Sequence, residues 1–349
     1  MVSQPRRRVR AADVAAAAGV SPTAVSFVLN GRDGGNISPD TKKRILETAE
    51  RLGYEPHHVA RSLRSRTTHS IGLFTDAVGS PFAGRLLAGA SEQAISLGHV
   101  LLVMDLNGGE AAETRAIREL ERRQVDALIY ACMGFQILSR PPVAELPLIL
   151  ANCTSERDDE LSVYPDDAYG ATHALKHLAD LGHRRVVMLS GNWTPLADAA
   201  NSGNISGPIR REAFLAAAQL RGVDASYVEA GWQIDSGYHA AMRVLDRPQD
   251  ERPTALFAIT DRVAVGAMLA AARLGIAVPG DLSIVGFDDQ EQMAECTVPP
   301  LTTMALPHVR MGEEAVAMAI AAAAGLVVEP RRRALPCELL VRESTAPPR

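Results

Sequence analysis

Residues Asp13 to Gly31 read "DVAAAAGVSPTAVSFVLNG", and the punctuation inside this stretch decides how the chain begins. Ala11 to Ala18 is rich in the strongest helix former, and Gly19 stands where a left-handed glycine ends a helix. Ser21-Pro22 then restarts the helical pattern. A serine hydroxyl caps the first free N–H groups, and a proline in the first turn loses nothing by lacking one. The pattern predicts a second helix from Pro22 to about Leu29. The turn between the two, "AGVS", has the length and the glycine of a helix-turn-helix connection.

After the loop "NGRDGGN", Ser38-Pro39-Asp40 repeats the start signal. The third helix, "DTKKRILETAERLGY", places Ile45, Leu46, Ala49 and Leu52 on one face and stops at Gly53. Three short helices with a basic balance make a small DNA-binding bundle, because spacing, caps and charge agree. The segment "HHVARSLRSRTTHS" follows Pro56. It is too short to be a stable helix alone and reads as a linker that folds only against something else.

Charge supports this division. The net charge of −5 hides a head, residues 1–69, with 12 Lys and Arg against 6 Asp and Glu. The remaining residues carry 24 against 35. A basic head on an acidic body is a footprint for a polyanion such as nucleic acid. A secretion signal is not expected, because Asp13 interrupts the apolar stretch and leaves only "VAAAAGV". No run approaches the roughly 18 apolar residues that span a bilayer. Four scattered cysteines (Cys132, Cys153, Cys296, Cys337) without a CxxC argue for free thiols in a reducing cytoplasm.

From Ser70 the pattern alternates between strand and helix. The apolar runs "SIGLFTD", "HVLLVMD", "VDALIYA" and "LPLILAN" are separated by helical segments at 82–97 and about 113–123. The grammar restarts after Val163, with helices at 166–181, 209–221, 236–245 and 263–274 between "RRVVMLS", "SYVEAG", "TALFAIT" and "LSIVGFD". Apolar strands between amphipathic helices predict parallel sheets covered on both faces. Two such runs predict two α/β subdomains, with a ligand cleft at their facing strand ends. The polar stretch "TPLADAANSGNISGP" (194–208) is expected to be a loop near that cleft.

The quoted head stretch resembles that of the lactose/galactose repressor family of bacterial transcription regulators. "RLGYEPHHVARSL" resembles the hinge of that family. "HLADLGHRRVVMLSG", "DRVAVGAM", "LSIVGFDD" and "PPLTTM" resemble its effector-binding core, in the same order. The resemblance implies an α/β protein with a helix-turn-helix head (1–55), a hinge (56–69) and a periplasmic-binding-protein-like core of two subdomains (70–349). It implies a homodimeric repressor that binds double-stranded operator DNA under control of a small molecule, a sugar or related metabolite. No cofactor and no membrane contact are expected, and no leucine heptads are sustained long enough for a coiled-coil tetramer.

Carried over residue by residue, Pro22–Leu29 is the recognition helix of the major groove. Pro22, Thr23 and Ser26 lie where base edges are reached, with Ser21 and Asn30 beside them. Phe27 departs from the arginine that often stands at that place. It either packs into the bundle or touches backbone or a thymine methyl. In the hinge, Leu63 would wedge into the minor groove, Ala60 would allow close approach, and His57, His58, Arg61 and Arg64 would line groove or phosphates. In the cleft, the implied effector contacts are Phe82, Asn152, Arg210, Trp232, Asp261 and Asp288, with Thr260 where asparagine is usual. Changing Arg210 or Asp288 is expected to weaken the ligand response while sparing operator binding.

Catalytic readings do badly. Asp166-Asp167 and Asp288-Asp289 are adjacent pairs whose side chains point apart, so neither makes an acid–base dyad. His173 and His177 share a helix face, with His183 near, but no HExxH glutamate accompanies them. A sugar-binding receptor or an enzyme of the same α/β architecture would need a signal peptide, or a phosphate loop with catalytic carboxylates. A regulator is expected, without catalytic residues or metal.

Overall fold

The computed structural model describes residues 9–29, 37–54, 67–76, 79, 83–106, 109–157, 159–191 and 203–349. Asn30, Phe82, the hinge residues His57, His58, Ala60, Arg61, Leu63 and Arg64, and most of the 194–208 stretch lie outside the described residues. The chain separates into two compact units, 1–68 and 69–349.

The first unit contains α1 (Ala11–Ala18), α2 (Pro22–Leu29) and α3 (Pro39–Leu52). Gly19 and Gly53 both adopt left-handed φ angles, 64° and 63°, and close α1 and α3. Val14, Ala15, Ala18, Val25, Val28, Ile45 and Ala49 form one small core. Helical spacing puts Leu46 on that apolar face, yet it is exposed. It stands at the edge of the helical stripe, outside the narrow core that three short helices can close.

The second unit holds two six-stranded sheets. The strands of the first are β1 (Ser70–Thr75), β2 (Val100–Asp105), β3 (Ala127–Leu138), β4 (Leu148–Ser155), β5 (Leu161–Asp166) and β11 (Arg332–Pro336). Their order is β11-β5-β4-β3-β1-β2, and every pairing is parallel. The second sheet contains β6 (Arg185–Ser190), β7 (Asp224–Glu229), β8 (Ala255–Ala258), β9 (Ser283–Asp288), β10 (Thr302–Ala305) and β12 (Glu338–Leu340). Its order is β12-β10-β9-β8-β6-β7, with only β12 antiparallel to its neighbour.

The sequence pattern did not disclose how the sheets share the chain. The helix His308–Ala323 follows β10 of the second sheet but packs on the first. Met311, Ala315, Val316, Met318 and Ala319 join Ile71, Leu73, Ile129, Ile149 and Val163 in one core. The helix presses on the helix Ala83–Ser96 so closely that a methyl group on Gly312 would strike the carbonyl of Leu86, and one on Gly89 that of Val309. The chain therefore passes between the two lobes three times: at Asp166-Asp167, between β10 and the helix that begins at His308, and between β11 and β12.

Candidate functional site

In the head, α1 and α2 meet at 106°. Ser21 Oγ accepts the N–H of Ala24 at 3.1 Å, the capping bond that the Ser-Pro pair predicts. Val25 and Val28 point into the core, which leaves Ser21, Pro22, Thr23 and Phe27 exposed and Ser26 half-buried. Phe27 is 45% exposed, so of the two readings open from the sequence, inward packing is overturned. Val25 and Val28 already occupy the inward positions. Ser38 caps α3 by accepting from Thr41, and the Arg44 side chain donates to the Ala18 carbonyl at 3.0 Å, tying α3 to α1.

In the second unit, the carboxyl ends of β5, β6, β8 and β9 lead into a buried charged cluster. Arg210, in the first turns of the helix Ser206–Arg221, is 3% exposed. Its Nε donates to Asp167 Oδ1 at 2.7 Å and its Nη1 to the Ile259 carbonyl at 2.6 Å. Nη1 also lies 3.5 Å from Asp288 Oδ1, and the guanidinium sits 3.5 Å over the Phe287 ring. Burial disfavours the guanidinium charge, but Asp167 and Asp288 outweigh it and hold Arg210 cationic. Burial pushes the Asp288 carboxyl well up from its ordinary range, and Arg210 only partly opposes that. Asp288 also adopts a φ of 110°, which an L residue adopts only at a cost.

Sequence reasoning missed Asp167 as a site residue. Its side chain is 1% exposed, and while Oδ1 holds Arg210, Oδ2 is buried with no hydrogen-bond partner. The adjacent Asp166 caps the helix Asp167–Asp180, accepting from Tyr169 at 2.8 Å. The adjacent pair does point apart, as expected, and this divergence is what aims Asp167 inward.

The other residues expected at the cleft divide. Asn152 is buried within β4, three residues before its end, with φ 56°, and its Nδ2 donates to the Cys132 carbonyl at 3.0 Å. Trp232 is half-buried after β7, and its indole leaves only 2.5 Å for a side chain at Gly191, so glycine is required there. Asp261 begins the helix Asp261–Arg273. It is fully buried, and its oxygens accept from Thr303 Oγ1 at 2.5 Å and the Gln290 N–H at 2.7 Å. One oxygen thus holds Thr303 of β10 and the other holds the turn after β9. Burial raises its carboxyl to about 7. Thr260 caps the helix Asp261–Arg273, accepting from Val263 at 3.3 Å.

Two further groups border this cluster. His308 is buried, and burial together with the charges of Arg85 and Arg210 pushes its imidazole down to about 4. Arg85, from the helix Ala83–Ser96 of the first lobe, reaches Asp289 in the second. Arg342 Nη2 holds the other oxygen of Asp289 at 2.7 Å.

The three histidines weighed as metal ligands face different partners. His173 binds the Tyr169 carbonyl, His177 binds Thr345, and His183 is buried against Thr254, Ser283 and Ala346. Among the described residues no single helix is long and apolar enough to cross a membrane.

Comparison with known proteins agrees with this geometry. Residues 11–57 match the family described as bacterial regulatory proteins, lacI family, and residues 175–345 match a periplasmic binding protein-like domain. The HTH-type transcriptional regulator DegA of Bacillus subtilis is 32% identical over 96% of this chain and 97% of its own length. The structure of the Lac repressor dimer bound to operator and the anti-inducer ONPF superposes with a TM-score of 0.75 at 26% identity. It covers 97% of this chain and 100% of that one. The complex of the transcriptional regulator CelR with cellobiose superposes at 0.64, with 26% identity and coverage of 97% and 100%. A basic three-helix head, joined to a two-lobed core with a buried charged cluster, is thus matched along nearly its whole length, and the chain belongs to the lacI family of bacterial regulatory proteins.

Proposed function

We propose that the chain is a cytoplasmic repressor that binds operator DNA as a homodimer and releases or grips it in response to a neutral, hydroxyl-rich effector, sugar-like in chemistry. The observation that carries the effector class is the unpaired Oδ2 of Asp167. A buried carboxylate oxygen that lacks a donor is costly, and a hydroxyl group supplies one. An anionic effector would meet Asp167 with repulsion, and it would find the charge of Arg210 already paired with that carboxylate. Asp288 and Asn152 add polar edges and Trp232 an aromatic face for a sugar ring. The complexes of the Lac repressor with ONPF and of CelR with cellobiose support the same class.

The head supports DNA contact through Ser21, Pro22, Thr23, Ser26 and Phe27, with Asn30 beyond them. The hinge contributes Leu63 as a minor-groove wedge, flanked by His57, His58, Ala60, Arg61 and Arg64. Dimerisation is supported by exposed apolar side chains. Ile95, Leu97, Val100 and Val103 run from the end of a helix onto β2, an edge strand of its sheet. Four free cysteines fit a reducing compartment.

Thermal-shift measurements on the full chain test the effector class. The panel holds neutral mono- and disaccharides, nucleosides, sugar phosphates and sugar acids. A ligand at a hundred times its Kd adds about 2.7 kcal/mol, or roughly 5–10 °C for a core of this size. The reading requires a neutral sugar or nucleoside among the stabilising compounds. Stabilisation by anionic compounds alone would refute it.

A further inference from the structure

The face that α2 turns outward has an unusual composition for a helix that reads DNA. Its eight residues, Pro22–Leu29, contain no charged and no amide side chain. The bidentate contacts by which arginine selects guanine, or asparagine and glutamine select adenine, are therefore closed to it. Val25 and Val28 are buried, Thr23 and Ser26 bear short hydroxyls, and Phe27 is the large side chain that stands clear of the core. Thr23 and Phe27 are four residues apart, so they share one face and project side by side. A single exposed apolar residue elsewhere on a surface is ordinary. On this face it is the longest reach the helix has.

Resting on the regulator reading above, we infer that Phe27 is the specificity-determining side chain of the head, and that it selects a pyrimidine bearing a C5 methyl group, thymine, in each operator half-site. A phenyl ring offers no hydrogen bond to a base edge or a phosphate. It gains by covering apolar surface, and in the major groove the C5 methyl of thymine is the apolar group that a base presents. Thr23, one turn earlier, presents its hydroxyl to the adjacent base. The head therefore reads its half-site by methyl contact and hydroxyls, with affinity carried by phosphate contacts from its basic residues.

The test uses the full-length protein. A half-site is selected from a random duplex library, and each thymine in it is replaced singly by uracil, which removes only the methyl group. Wild type is expected to lose about fourfold in affinity at one thymine per half-site, and about fifteenfold when both symmetry-related thymines are replaced. Phe27→Ala should bind the thymine and uracil duplexes equally at that position, while keeping any other thymine preferences. Phe27→Leu, which keeps an apolar side chain, should restore part of the discrimination and guards against a head that fails to fold. A recovered half-site with no thymine whose methyl effect depends on Phe27 overturns this inference and leaves the regulator reading standing. Failure to recover any repeated half-site overturns both.

Discussion

Arg85 and Asp289 meet across the two lobes: Arg85 Nη1 lies 3.3 Å from Asp289 Oδ2 and 3.2 Å from its carbonyl oxygen. Asp289 directly follows Asp288, the carboxylate beside Arg210, and both have positive φ, 110° and 51°. One strained peptide thus joins the carboxylate beside Arg210 to the inter-lobe pair. The pair is partly exposed, 31% and 16%, so it is worth at most about 1 kcal/mol. Arg85→Ala should lower the melting temperature by no more than about 4 °C. It should weaken effector affinity about two- to fivefold by loosening lobe closure, and the difference should shrink as salt screens the pair. Calorimetric titrations at low and high salt, using whichever sugar the thermal screen identifies, measure both effects.

Arg210 is a different case, and the structure revises what the sequence suggested for it. Removing the guanidinium leaves Asp167 and Asp288 buried near each other without their cation. Breaking such a buried pair costs about 3–5 kcal/mol. Arg210→Ala should therefore lower the melting temperature by roughly 6–20 °C and impair operator binding along with the ligand response. Scanning calorimetry decides this. A melting point within a degree or two of wild type would mean that the cluster is not the anchor described.

Asp167→Asn tests the unpaired oxygen of that carboxylate. The amide keeps the shape and can still present an oxygen to Arg210, but it cannot offer the second carboxylate oxygen to a hydroxyl donor. Effector affinity should fall about ten- to a hundredfold, the loss of one hydrogen bond to a charged group. Titration calorimetry of the variant with the same sugar reads it directly.

Asp261 and His308 give opposed contributions to stability as pH changes. Asp261 is raised from 3.8 to about 7, so the folded state holds a proton that the unfolded chain has released between those values, and its contribution falls as pH rises from about 4 to 7. His308 is lowered from 6.5 to about 4, so the unfolded chain binds the extra proton, and its contribution grows as pH rises from about 4 to 6.5. Over that window the two slopes oppose each other. Relative to wild type, Asp261→Asn should become more stable with each step upward in pH, and His308→Gln less stable. Denaturant melts at pH 4.5, 5.5 and 6.5, chosen to lie between the cited values, check both signs.

Val103 stands on the edge strand β2 with 43% of its surface exposed. A carboxylate there would face its symmetry mate across the proposed dimer contact. Val103→Glu should therefore shift the protein to monomer in light-scattering chromatography and weaken binding to a two-half-site duplex at least tenfold. A fully dimeric variant would place the contact elsewhere.

Local chemistry was readable and tertiary choice was not. Gly19, Ser21-Pro22, Ser38-Pro39 and Gly53 are helix punctuation, decided within a few residues, and α1, α2 and α3 begin and end where those residues require. Leu46 shows the limit of the same method, since helical spacing alone did not show which edge of the stripe reaches the core. The strand pattern disclosed parallel sheets but not that β11 and the helix His308–Ala323 return to the first one. Partners of that kind are set by packing between segments far apart in the chain. The resemblance gives Asp261 as a ligand carboxylate, but its ties to Thr303 on β10 and to Gln290 after β9 come from segments far along the chain and were not readable. Phe27 stayed ambiguous because an aromatic on a short helix serves either face, and only the burial of Val25 and Val28 resolves it.

The triple passage between lobes bears on the order in which a ribosome delivers the protein. When residues 70–166 have emerged, β1 to β5 are available, but Ile71, Leu73, Ile129, Ile149 and Val163 lack the helix His308–Ala323 that covers them. That helix and the edge strand β11 arrive only after nearly all of the second lobe has been made. The lobe nearest the start of the chain is therefore the later one to mature, and until then it presents a bare apolar sheet face to the chaperones and neighbours around it. A chain terminated before the helix His308–Ala323 would leave its N-terminal lobe uncovered as well as losing its tail, so a nonsense codon ahead of that helix should act as a null.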